Sequence, residues 1–224
     1  MTARIVDASE PVTLVGGGEV MPGALEAALA LAPRLAAADG GAAAVLAAGR
    51  MPEAVIGDLD SLPAALREQL PPGCLHEVAE QESTDFDKAL RSVSAPAVIA
   101  VGFLGKRVDH QLAAFNTLVQ GHATPCVLLG AQEVIFHLTH PVALPTEAGE
   151  VVSLFPMQRV RGRSEGLEWP IDGLEMSPMG RIGTSNRALG AIRLEPEGEG
   201  LLVIVPRRLL ADVLGQIRRD RSQG

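Results

Sequence analysis

Carboxylates recur where apolar runs stop. Asp39 follows Leu35 to Ala38, Asp58 and Asp60 follow Ala54-Val55-Ile56-Gly57, and Asp85 and Asp87 follow Ser83-Thr84. Asp109 comes after the run from Ala97 to Val101 that ends at Gly102. Residues two apart in extended chain project to the same side, so Asp58 and Asp60 are expected to face one ion. A hard Mg²⁺ usually takes one or two carboxylates, several waters and phosphate oxygens, which such a pair supplies. The alternative reading of Gly57-Asp58-Leu59-Asp60-Ser61 is a turn held by Asx-type bonds, with Gly57 at positive φ.

Ser83-Thr84-Asp85-Phe86-Asp87-Lys88-Ala89-Leu90 has the form of a helix start, with Ser83 or Thr84 as N-cap and acids at the positive end of the helix dipole. Local stability accounts for that pattern; so does a site in which Asp85 joins the metal ligands and Lys88, on the same helical face, meets phosphate. Gly105-Lys106-Arg107-Val108-Asp109-His110 leads into a helix expected over Gln111 to Gln120. Its two cations suit a polyphosphate. A solvated loop with Asp109 as N-cap explains the same residues, and His110 is either an acid–base group or a hydrogen-bonded structural residue. Gly16-Gly17-Gly18 lacks the third glycine and the downstream acid of a dinucleotide fingerprint, leaving a backbone anion contact or a plain strand-to-helix turn.

Positioning these groups falls to the elements between them. Up to about residue 130, short apolar runs alternate with helical patterning, as in Val12 to Val15, Leu35 to Ala38, Ala54 to Ile56, Ala97 to Val101 and Val127 to Leu129. Such alternation predicts an α/β fold with right-handed crossovers and a parallel sheet flanked by helices. Ligands of such sheets bind beyond the carboxyl ends of the strands, where the acidic residues fall. From residue 131 to 224 the runs Glu133 to Leu138, Val151 to Phe155, Ala191 to Leu194 and Leu201 to Val205 are separated by Gly, Pro and Glu, which predicts a smaller antiparallel domain. Leu209, Leu210, Val213, Leu214 and Ile217 then recur at helical spacing, so a terminal helix over Arg207 to Arg219 is expected, with a solvated basic tail from Arg218 to Arg221.

Composition narrows the partners. A formal charge of −8 without a dense Lys/Arg block argues against nucleic acid, as does the scarcity of aromatics for base stacking, with one Trp and no Tyr. No signal-like apolar core follows Met1, and no run approaches ~18 apolar residues, so a soluble, cytoplasmic protein without a membrane partner is expected. Cys74 and Cys126 lack metal-ligand spacing and read as core thiols in a reducing compartment.

Ala38-Asp39-Gly40-Gly41-Ala42, Val55-Ile56-Gly57-Asp58-Leu59-Asp60-Ser61, Thr84-Asp85-Phe86-Asp87-Lys88-Ala89-Leu90 and Gly105-Lys106-Arg107-Val108-Asp109-His110 resemble, in order and spacing, the thiamine pyrophosphokinases. Gly166-Leu167-Glu168-Trp169-Pro170 and Gly183-Thr184-Ser185-Asn186 extend the likeness. The resemblance implies a Rossmann-like α/β domain over 1–130 that binds ATP and Mg²⁺, then a β-sandwich over 131–224 for thiamine and dimerisation, with active sites at the homodimer interface. It implies Mg²⁺ at Asp58, Asp60 and Asp85, and ATP at Asp39, Gly40, Gly41, Ser61, Thr84, Lys88, Lys106, Arg107 and His110. It also implies thiamine at Gln81, Trp169, Ser185 and Asn186. Catalysis would draw on Asp58, Asp60, Asp85, Lys88 and Asp109, with Asp85 or Asp109 accepting the alcohol proton as diphosphate passes from ATP to thiamine and AMP leaves. The chain departs from the family pattern at Ala43, where Asn is usual, and at Lys106, where a second Gly is usual. A pyrophosphokinase for another alcohol, such as a hydroxymethyl-pterin, and a non-catalytic nucleotide sensor are the alternatives.

Overall fold

A strand covered on both faces has no polar side to show, and four short runs before residue 130 meet that condition over their whole length. The computed structural model describes residues 4–218. They divide into two compact units, residues 4–117, 121–129 and 218, and residues 118–120 and 130–217.

The first unit opens with β1 (Val6–Asp7), β2 (Val12–Val15), α1 (Ala24–Leu31), β3 (Arg34–Ala38), α2 (Gly41–Ala47) and β4 (Ala54–Gly57). It continues with α3 (Ala64–Arg67), β5 (Leu75–Glu77), α4 (Asp85–Arg91), β6 (Val93–Ser94), β7 (Val98–Val101), α5 (Val108–Val119) and β8 (Cys126–Leu129). Parallel pairing gives the order β8-β7-β2-β3-β4-β5, while β1 and β6 form a separate two-residue ladder. β2, β4, β7 and β8 are buried at every residue, which explains why they read as unbroken apolar runs. The chain runs outward from β2 through β3 and β4 to β5, then returns to lay β7 on the other side of β2. That reversal is a topological switch point, and the loops after β2 and β7 open beside it.

Close approach dictates a glycine at the entry to α2. A Cβ on Gly41 would lie 2.0 Å from the Val15 carbonyl oxygen, so only glycine lets α2 cross the end of β2 at that distance.

The second unit consists of β9 (Glu133–His137), β10 (Val142–Leu144), β11 (Val151–Pro156), β12 (Arg161–Leu167), β13 (Gly183–Glu197), β14 (Leu201–Pro206) and α6 (Leu210–Ile217). All its pairings are antiparallel. The long β13 pairs with β11 through its first residues and with β10 and β12 farther along, so one strand serves three ladders. The short strand expected over Ala191 to Leu194 is therefore the middle of a 15-residue strand. The expected terminal helix begins as a 3-10 turn over Arg207–Leu209 before α6, and the expected tail past Arg218 lies outside the described residues. Together the units make a mixed α/β fold.

Candidate active site

Strand pairing brings together acids that are far apart in sequence. Ala38 at the end of β3 is level with Ile56 in β4, and the Asp39 amide donates to the Ile56 carbonyl at 3.0 Å. Asp39 therefore sits beside Gly57, where a Cβ would lie 2.8 Å from Asp39 Cβ. Gly57 is glycine to admit that neighbour and is the last residue of β4, not the positive-φ turn residue of the Asx alternative. Leu59 takes the turn instead, at φ 63°. Asp58 and Asp60 are thus not on one side of an extended chain as expected, because Leu59 breaks the alternation. Their carboxylates converge because the chain turns at Leu59, with a long 3.4 Å contact from the Asp60 amide to Asp58 Oδ1. Ser61 Oγ donates to Asp60 Oδ1 at 3.0 Å.

One oxygen each from Asp39, Asp58 and Asp60 lies within 4.8 Å of the others. Asp39 is 3% exposed, and its Oδ1 has no hydrogen-bond partner. Burial raises the Asp39 pKa; Ser61 opposes the rise, and the charges of Asp85 and Asp58 add to it. A buried carboxylate oxygen without a partner is costly unless a cation meets it, so this donor set fits a hard divalent ion. This cluster shares Asp58 and Asp60 with the expected trio and has Asp39 where that trio has Asp85.

Asp85 connects to the cluster through Lys88. Thr84, not Ser83, caps α4, its Oγ1 accepting from the Asp87 amide at 3.2 Å. One turn on, the Lys88 side chain is 2% exposed and its Nζ donates to Asp58 Oδ2 at 3.0 Å and Asp85 Oδ1 at 3.1 Å. Burial alone would lower the Lys88 pKa, but the two carboxylates outweigh it and the ammonium is held above its ordinary value. Asp58 is correspondingly held below the usual carboxylate range, chiefly by the Lys88 hydrogen bond.

These groups open into a cavity of about 600 Å³ at the carboxyl ends of the strands. Its wall includes Asp39, Gly40, Asp58, Ser61, Gln81, Thr84, Asp85, Lys88, Lys106, Arg107 and His110. Gly41, Asp60 and Asp109 are not part of the wall. Of the three glycines after β2, Gly16 and Gly18 are explained by packing, since a Cβ on either would fall within 2.7 Å of the Gly102 carbonyl oxygen. Gly17, where a Cβ would meet nothing closer than 3.6 Å, lines the cavity together with Gly18.

Beyond β7, Gly105 (φ 81°) and Lys106 (φ 57°) carry the chain through the left-handed region, and α5 begins at Val108 rather than Gln111. Asp109 is therefore a first-turn residue and not the N-cap. Both its oxygens meet the Arg107 guanidinium, with Nε to Oδ1 at 3.1 Å, which holds its carboxyl below the usual range. Lys106 occupies a conformation that favours glycine, so the departure at this position places a charged side chain on a backbone strained by about 1–2 kcal/mol.

In the second unit Trp169 is 54% exposed, whereas Asn186 is 4% exposed. Asn186 Oδ1 accepts from the amides of Trp169 at 3.2 Å and Arg187 at 2.8 Å, and its Nδ2 donates to the Trp169 carbonyl at 2.7 Å. The Asn186 amide group is thus engaged with backbone. Ser185 is exposed at φ 61°, in a bulge where Thr184 and Ser185 together oppose Ser153, whose Oγ accepts from the Ser185 amide at 2.9 Å.

Sequence reasoning listed Asp39 among the strand-end acids but gave it to ATP and not to the metal, because the β3–β4 register that sets it beside Gly57 has no local signal. It also overlooked Phe86 and Phe103, whose rings lie 4.1 Å apart at a 33° tilt in the cavity wall.

Residues 25–128 match a family model described as thiamin pyrophosphokinase, catalytic domain, and residues 139–195 one described as thiamin pyrophosphokinase, vitamin B1 binding domain. The chain is 29% identical over 154 residues to thiamine pyrophosphokinase 1 of Oryza sativa subsp. japonica, and 28% identical over 154 residues to thiamine pyrophosphokinase 1 of Arabidopsis thaliana. Each alignment covers 60% of this chain and 58% of the relative, so the chain matches somewhat over half the length of these curated relatives. Among solved structures, thiamin pyrophosphokinase from Candida albicans superposes with a TM-score of 0.75 at 14% identity, covering 88% of this chain and 89% of that one. Thiamin pyrophosphokinase from Geobacillus thermodenitrificans does so with 0.72 at 22% identity, covering 95% and 99%. At these identities the structural likeness is one of fold. With both family models matched in order along it, the chain belongs to the thiamin pyrophosphokinase family.

Proposed function

We propose that the protein transfers the diphosphate group of ATP to the primary alcohol of thiamine, giving thiamine diphosphate and AMP. The observation that carries this reading is the cluster of Asp39, Asp58 and Asp60 beside the buried Lys88, at the strand ends of a chain that matches both family models. In the reaction the alcohol oxygen bonds to the β-phosphorus of ATP, the bond from that phosphorus to the oxygen bridging to the α-phosphate breaks, and the alcohol proton passes to a carboxylate or to water. Positioning and charge stabilisation dominate such transfers.

Each residue has a definable part. Asp39, Asp58 and Asp60 would hold Mg²⁺, which supplies positive charge to the transferring phosphoryl oxygens. Lys88 keeps Asp58 ionised and adds a fixed cation to the cavity wall. Lys106 and Arg107 offer charge to the polyphosphate, Arg107 being oriented by Asp109. Asp85, in the wall and tied to Lys88, is better placed than the Arg107-bound Asp109 to take the alcohol proton. Asn186 fixes Trp169, whose exposed indole suits a flat cationic heterocycle.

The same proposal includes a Rossmann-like first domain, a β-sandwich second domain, and a cytoplasmic homodimer with active sites at the subunit interface. The homodimer is supported by Val151, Trp169, Met179, Ile182 and Leu189, large apolar side chains left exposed on the second unit. Among the described residues no helix is long and apolar enough to cross a membrane.

The test is to incubate the purified chain with ATP, Mg²⁺ and thiamine and separate the products by chromatography. Equal amounts of thiamine diphosphate and AMP are expected. ADP with thiamine monophosphate, or product only with a hydroxymethyl-pterin, would overturn the reading.

A further inference from the structure

Asp85 and Lys88 of α4 line the cavity; Asp87 and Arg91 of the same helix do not. They belong instead to a chain of polar and charged groups outside its wall. His122 Nε2 lies 3.2 Å from Asp87 Oδ1, Asp87 Oδ2 lies 3.4 Å from Arg91 Nη1, and Arg91 Nη2 donates to Glu80 Oε1 at 2.7 Å. Ser83 Oγ donates to the same Glu80 oxygen. Asp87 and His122 are nearly buried, so the inner end of this chain is fixed by the fold, while Glu80 and Arg91 are about one-third exposed at its outer end.

The outer end holds the least regular piece of the cavity wall. Between β5 and α4, residues 78–84 form neither helix nor strand. Their backbone is tied at the start, where the Val78 amide donates to the Gly57 carbonyl, and at the end, where Thr84 caps α4. Between those anchors, Glu80 gathers both Arg91 and Ser83. Gln81 and Ser83, carried by this span, line the cavity with an amide and a hydroxyl. The 105–107 loop presents cations suited to phosphate, whereas neutral donors and acceptors suit the uncharged polar groups of an acceptor.

We propose that Arg91 is a positioning residue for the acceptor alcohol: by bridging Asp87 of its own helix to Glu80, it fixes the span that carries Gln81 and Ser83 into the cavity wall. This rests on the pyrophosphotransfer reading above. The bridge acts on acceptor affinity and leaves the carboxylate cluster and Lys88 in place.

Glu80→Ala cuts the bridge from its exposed end and leaves Asp87 paired with Arg91, so the nearly buried acid keeps the guanidinium that Arg91→Ala would take from it. Hydrogen–deuterium exchange over 78–84 is expected to speed up in Glu80→Ala, with exchange in α4 and Tm unchanged. The thiamine KM is expected to rise about tenfold, the loss of one well-placed hydrogen bond, with kcat and the ATP KM held within about twofold. Arg91→Lys, which keeps the charge but not the fork, should fall between wild type and Glu80→Ala. Unchanged exchange in Glu80→Ala, or equal losses in kcat and in the affinity for both substrates, would overturn the proposal. Wild-type protein that makes no product from thiamine would refute the pyrophosphotransfer reading instead, and the exchange comparison would still decide whether Glu80 tethers the wall.

Discussion

Asn186 grips the backbone of Trp169 at both its amide and its carbonyl, at 3.2 and 2.7 Å, while almost wholly buried itself. The half-exposed indole is thus anchored through its main chain by a side chain 17 positions away. Asn186, expected at the thiamine site, has its side-chain amide engaged with that backbone, which makes it a support for Trp169 on the proposed reading.

Asn186→Ala should therefore weaken thiamine binding without removing any ring from the site. Buried polar groups left unpaired cost about 1–3 kcal/mol each, so a modest loss of stability should accompany about a tenfold rise in Kd. Since this chain has one Trp, titrating thiamine against intrinsic fluorescence reads the effect directly. A Kd equal to wild type would remove Asn186 from any role at the site.

Lys88→Met keeps the volume of the side chain and deletes its charge. Asp58 then loses the hydrogen bond that chiefly holds its pKa down. Turnover should fall by at least ~10²-fold, the scale of one preorganised electrostatic contact, with far-UV circular dichroism unchanged. Turnover within a few-fold of wild type would show that the ammonium serves packing alone.

Removal of the metal should be felt most at Asp39. Burial disfavours its charged form, so without a cation Asp39 works against folding. Asp39→Asn should leave Tm in EDTA unchanged or higher, and should shrink the rise in Tm that Mg²⁺ gives the wild type. An Mg²⁺ response as large in the variant as in the wild type would exclude Asp39 from the ligand set.

His137 supplies a pH dependence from outside the site. Its Nε2 accepts from the Gly200 amide at 2.8 Å, and burial lowers its pKa against a smaller opposing pull from Glu199. A folded-state pKa below the unfolded one means that protonation favours unfolding. Stability from this group is complete above the unfolded value of about 6.5 and is lost as pH falls below it toward the depressed folded value. His137→Gln, which retains an acceptor, should reduce the drop in Tm between neutral and mildly acidic buffer; an identical drop would assign the acid sensitivity elsewhere.

How much of this was legible depended on where side chains pointed. β2, β7 and β8 could be read because burial on both faces forces continuous apolar runs. β12 could not, since Arg161, Arg163 and Glu165 project outward and Gly162 and Gly166 occupy inward or bent positions. Asp39, Asp58, Asp60 and Lys88 were all visible as motif residues, but the placing of Asp39 beside Asp58 and Asp60 follows only from the pairing of Ala38 with Ile56. The Glu80–Arg91–Asp87–His122 chain was hidden for a similar reason, since its four groups come from a loop, one helix and the segment after α5.

On the proposed reading, the carboxylates of Asp39, Asp58 and Asp60 hold a divalent cation. Titration of Mn²⁺ into the nucleotide-free protein, with free ion followed by electron paramagnetic resonance, tests it most directly. A saturable site should be present in wild type, displaced by Mg²⁺, and lost in Asp58→Asn with the fold intact. Equal Mn²⁺ binding by wild type and Asp58→Asn would contradict the account.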